Sequence, residues 1–209
     1  MFRTLFRSLA LSAGLLLALP AAAADKQPIY DVEALVFARP SADTRVEHWP
    51  DRSELSPHQD ENARSLLPVR SAPGEPQAFQ RLPEETLRLA REYQRLVDAP
   101  DLEPLLHLAW VQPGLGRDNA VPVVIEGGTE PGGHVEGTLR VILARYLHVE
   151  ADLRYRRPED VRDDAEIGDV LDAPHDLYRL KESRRMRSKE IHYLDHPLFG
   201  VVIVITPRV

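Results

Sequence analysis

VEGTLRVILARYLHVEADLRY, the stretch from Val135 to Tyr155, decides how the rest of the chain is read. Val135, Leu139, Val141, Leu143, Leu147, Val149, Ala151, Leu153 and Tyr155 share one parity, interrupted by Gly137 and Arg145. Side chains of a strand alternate between faces, so a period of two means β-structure buried on one side. A single straight strand of this length would reach about 70 Å at roughly 3.3 Å per residue, too long for the domain. The stretch is therefore one strand bent sharply across two sheet surfaces, or a hairpin turning near Ala144-Arg145. The residues leave both open.

Working outward, the neighbours are also short and apolar. Leu105 to Val111 and Val121 to Ile125 read as strands, Leu177 to Met186 alternates again, and Val201 to Ile205 is a fully apolar closing strand. Gly127-Gly128 and Gly132-Gly133 invite comparison with a phosphate loop. No Gly-Lys-Ser/Thr follows, and Glu126 and Glu130 would repel an anion, so these read as turn glycines. Ile29 to Ala38 is apolar on both parities, the mark of a strand covered on two sides and central in its sheet. Pro83 to Val97 is the principal helix: Pro83 suits the first helical position, Glu84 and Glu85 suit the positive end, and Asp98-Ala99-Pro100 stops it. Its expected core stripe is Thr86, Leu89, Ala90, Tyr93, Leu96 and Val97.

Two segments lose periodicity. Residues 39–80 carry six prolines and read as a long irregular excursion, with His48-Trp49-Pro50 as an island, and the acidic, turn-rich 158–176 reads as a solvated connection. Strands outnumber helices and the late connections are short. The expected fold is α+β, a mainly antiparallel sheet with one principal helix (about 83–97) packed on it.

The first 24 residues stand apart. Arg3 and Arg7 precede an apolar run from Leu9 to Leu19, then Pro20 and the small residues Ala22-Ala23-Ala24. That pattern is a cleavable secretory signal, and the run is shorter than the roughly 20 residues a membrane span needs. Cleavage after Ala24 leaves 185 of the 209 residues, 25–209, as a single domain. Losing Arg3 and Arg7 leaves 24 basic against 33 acidic residues and moves the formal charge from −7 to −9. An acidic chain argues against nucleic acid, whose phosphates require clustered Lys and Arg. With no cysteine in an exported chain, stability rests on packing. The expected location is the periplasm of a Gram-negative cell.

The densest polar cluster runs from Arg184 to Pro197, against the acidic trend. Paired guanidiniums on a sheet face suit bidentate recognition of carboxylate or phosphate, which nominates Arg184, Arg185 and Arg187. The structural alternative pairs these arginines with the 158–176 connection or with Asp152. His192 and Tyr193 lie within the cluster. Sugar recognition uses exposed aromatics with polar neighbours, which nominates Trp49, Trp110 and Tyr146, with Arg145 and His148 beside the last. Glu190, His192, Asp195 and His196 supply possible metal ligands, but no HExxH-type pair accompanies them, so satisfied structural histidines are the stronger reading and no metal or cofactor is expected. No nucleophile-elbow serine or cysteine is present. A non-enzyme is expected; the alternatives are a metal-dependent periplasmic hydrolase and a pure protein-interaction module of the envelope.

Several of these stretches resemble one family in order along the chain. The signal followed by Tyr30 to Phe37, then Glu47-His48-Trp49-Pro50, Leu106 to Pro113, Gly137 to Val141 with Arg145 to Val149, and Arg184 to Gly200 are similar to the CsiV family of periplasmic peptidoglycan-binding proteins. The resemblance implies non-enzymatic binding of the cell-wall polymer in support of wall synthesis and cell shape. It also implies work beside an outer-membrane lipoprotein that activates a bifunctional penicillin-binding protein. It brings no residue-level ligand map.

Overall fold

The computed structural model describes residues 27–42, 61–70, 74–128, 133–158 and 177–208. Its elements are β1 (Ile29–Ala38), α1 (Ala90–Val97), β2 (Glu103–Pro113), β3 (Pro122–Gly128), β4 (His134–Leu143), β5 (Leu147–Arg156), β6 (Leu177–Met186), β7 (Ile191–His196) and β8 (Phe199–Arg208). A short 3-10 turn, Glu84–Thr86, precedes α1. The fold is α+β and mainly antiparallel, as expected, but the strands form two sheets rather than one. Their orders are β2-β1-β8-β7 and β3-β4-β5-β6.

The long alternating stretch is a hairpin. Val135 lies opposite Tyr155 and Leu143 opposite Leu147, with Ala144, Arg145 and Tyr146 turning between them. Its single apolar parity faces the other sheet. Leu139, Val141, Val149 and Leu153 join Val32, Ala34, Val36, Ile203 and Ile205 in one buried cluster, so two apolar sheet faces close on each other. β1 is central, between β2 and β8, and is covered on both sides. Its even positions fill the inter-sheet core, while Leu35 and Phe37 meet Leu89, Leu96 and Val204 beneath α1.

The helix is shorter than the pattern predicts. Leu87 is extended, so 84–86 and Ala90–Val97 are separate, and the backbone N–H groups of Arg88 and Leu89 turn instead to the buried Glu33 carboxylate, each at 2.8 Å. A tertiary acceptor on β1 outcompetes the local helical bonds. The stripe is corrected accordingly: Leu89 and Leu96 are buried, whereas Tyr93 and Val97 are 38% and 50% exposed. An eight-residue helix rests on the sheet over too short a length to bury every member of its stripe.

β7 is a strand that alternation did not reveal. Its turn into β8 is Pro197-Leu198, and the Leu198 N–H donates to His196 Nδ1 at 3.2 Å. Gly127 and Gly128 end β3 rather than sit in a turn. The described parts of 39–80 are not free excursion. Arg64 bridges Val123 on β3, Leu67 bridges Gln80, and the Phe79 N–H donates to the Val111 carbonyl of β2 at 2.6 Å, so this segment covers sheet edges. The expected secretory signal, His48-Trp49-Pro50 and all but the first residue of 158–176 lie outside the described residues.

Candidate ligand-binding site

The second sheet presents an outward face to solvent. The β4, β5 and β6 registers align its side chains in rows: Thr138, Asp152 and Lys181, then Arg140, Glu150 and Ser183, then His148 with Arg185. These positions alternate with the core residues Leu139, Val149 and Leu153 and so point away from the other sheet. The first two rows line a shallow groove of about 580 Å³. The third stands beside the β4–β5 turn.

At that turn Tyr146 is 43% exposed. The Arg185 guanidinium lies 4.8 Å from the centre of its ring and that of Arg145 5.7 Å, distances at which a cation is held by an aromatic ring. His148 Nδ1 is 3.2 Å from the Tyr146 carbonyl. Folding thus brings Arg185, nominated from a separate stretch, beside Tyr146 and its sequence neighbours Arg145 and His148. Neither Arg145 nor Arg185 has a carboxylate partner among the described residues. Acids lining the groove are, by contrast, already held: Glu150 by Arg117 at 2.6 Å and Arg140 at 3.3 Å, Asp152 by Arg179 at 2.6 Å. The hydrogen bonds from Arg179 outweigh partial burial and keep the Asp152 carboxyl below its usual range. Asp152 therefore takes Arg179, not the arginines of the 184–187 run. Lys181 and Ser183 also belong to this face and were not nominated; their signal was the parity they share with Arg185.

The other nominated residues are placed elsewhere. Arg184 has the opposite parity to Arg185 and pairs with Glu182 at 2.8 Å, and Arg187 sits past the end of β6 near Glu190 at 3.5 Å. The strand stops at Met186, so Arg185 and Arg187 do not form one guanidinium pair on a sheet face. His192 lies on β7, where its Nε2 accepts the Arg187 N–H at 3.3 Å. Tyr193 belongs to the helix-bearing side of the first sheet, stacked on Phe37 at 6.0 Å and bonded to Arg39 and Asp195. Trp110 is fully buried and donates to Gln112 at 2.9 Å; it is a core residue and offers no face to a sugar. Trp49 lies outside the described residues.

The four possible metal ligands point to different partners. Glu190 is 3.9 Å from His192, Asp195 bonds Tyr193 and Arg39, and the His196 ring packs on Phe199 at 5.0 Å. Among the described residues no three His, Cys, Asp or Glu side chains converge to hold a metal, and no helix is long and apolar enough to cross a membrane.

The described residues thus form two packed antiparallel sheets, one bearing an exposed arginine-flanked tyrosine beside a shallow polar groove, and that surface is the candidate site. The chain belongs to the CsiV family: the family model described as "Peptidoglycan-binding protein, CsiV" matches residues 4–208. No curated protein and no solved structure matches it.

Proposed function

We propose that this protein binds peptidoglycan without transforming it, in the periplasm after export, through the outward face of the β4–β5–β6 sheet. The observation that carries the reading is the pair of guanidiniums of Arg145 and Arg185 at the exposed Tyr146 ring, with no carboxylate partner among the described residues. Peptidoglycan offers carboxylates on its stem peptides, and a charge-assisted guanidinium–carboxylate contact is among the stronger surface interactions. With a formal charge of −7, or −9 once residues 1–24 are removed, the chain lacks any broad attraction to an anionic wall, so binding has to be local. The family description supports the ligand class. In the same reading the protein supports wall synthesis and cell shape beside an outer-membrane lipoprotein that activates a penicillin-binding protein.

The test is co-sedimentation of the purified protein with isolated sacculi. Wild-type protein should pellet, and Arg185→Ala should weaken retention about tenfold, the size of one lost charge-assisted hydrogen bond. Protein that stays in the supernatant, or that releases soluble fragments from the sacculi, refutes the reading. Recovery of the lipoprotein with the bound protein, from a mixture of purified components, tests the partner.

A further inference from the structure

Resting on the reading above, we infer that the group this surface recognises is the free carboxylate of the stem peptide rather than the glycan chain, and that Tyr146 positions the arginines instead of stacking a sugar.

The first ground is the ring itself. Arg185 lies over Tyr146 at 4.8 Å and Arg145 at 5.7 Å. A pyranose seeking that ring has to compete with guanidiniums already held there. A guanidinium stacked on an aromatic ring keeps its N–H donors directed outward in its own plane, where a carboxylate is met in bidentate fashion. Such stacking lowers the entropy lost on forming that contact.

The second ground is the charge inventory. Reading sugar hydroxyls calls for carboxylates and amides with open acceptors. Of the acids lining the groove, Glu150 and Asp152 are held by Arg117, Arg140 and Arg179, and Glu182 by Arg184. Among the described residues the guanidiniums of Arg145 and Arg185 have no carboxylate partner, and Lys181 acts on Asp152 through its charge without forming a salt bridge. Lys181 and Arg185 share one face of β6, about 13 Å apart at roughly 3.3 Å per residue. That separation suits an extended peptide bearing more than one carboxylate, laid along the strand beside the groove.

Three probes of sacculus co-sedimentation test this with wild-type protein: soluble stem tetrapeptide as competitor, peptide-free glycan strands as competitor, and sacculi whose carboxyls have been converted to amides with carbodiimide and ammonium. The tetrapeptide should displace the protein, the glycan strands should not, and amidation should lower retention about tenfold or more. Tyr146→Phe should bind like wild type, since the ring is kept. Tyr146→Ala and Arg185→Lys, which lose the platform or the planar fork, should both weaken binding on untreated sacculi and add nothing on amidated ones. Displacement by glycan strands together with undiminished retention on amidated sacculi overturns the inference while leaving peptidoglycan binding intact. Failure of wild-type protein to bind untreated sacculi at all overturns the underlying reading instead.

Discussion

Glu33 places a carboxylate on the helix-facing side of β1, where it is 3% exposed. It accepts from Arg88 and Leu89 N–H and lies 2.8 Å from His107 Nε2. Burial alone pushes this carboxyl up, but the hydrogen bonds from His107, Arg88 and Leu89 together outweigh it and hold it below its usual range. A depressed carboxyl contributes stability above its unfolded pKa, and that contribution is lost as pH falls through the folded value. Glu33→Gln should destabilise the protein by roughly 2–3 kcal/mol at neutral pH and flatten the acid limb of its stability curve, read from urea titrations at several pH values. His196 works at higher pH. Burial pushes it down to about 4 from 6.5, with the Asp195 charge opposing. The unfolded chain binds the proton first, so this stability is complete above 6.5 and drains as pH falls toward 4, by about 3 kcal/mol in all. An NMR titration placing the His196 midpoint near 6.5 would remove that account.

At the scale of elements, the β4–β5 hairpin carries Arg145, Tyr146 and His148 of the proposed site, and its geometry depends on one glycine. Gly137 has φ +142°, and a Cβ there would lie 2.1 Å from the Asp152 carbonyl oxygen on the paired strand. Only glycine accepts both the conformation and the approach. Gly137→Ala should cost about 3 kcal/mol or more, measured as a shift in urea midpoint, with sacculus binding falling alongside because the hairpin presents Tyr146. The hairpin was legible as β-structure from its parity. Its turn was not, because Ala144-Arg145-Tyr146 has none of the Asn-Gly or Asp-Gly character that marks a tight turn. Helix α1 shows the opposite limit. Proline, acids and an apolar stripe argue for one helix, and a carboxylate from β1 breaks it.

At the scale of the molecule, β1 and β8 pair along their whole length, and one core is shared by both sheets. Neither sheet can bury its apolar face alone. Urea unfolding should therefore be one transition, with tryptophan fluorescence and far-ultraviolet circular dichroism coinciding; two separated midpoints would contradict a single domain. Amino-acid order alone determined the central place of β1, the antiparallel α+β class and the family resemblance, because each rests on local periodicity or on contiguous motifs. The pairing of two sheets, the breaking of the helix, the burial of Trp110 and the arrival of Arg185 beside Arg145, Tyr146 and His148 were decided only by tertiary structure. Those outcomes depend on which faces meet and which charges find partners across dozens of residues, and short-range pattern carries no information about either.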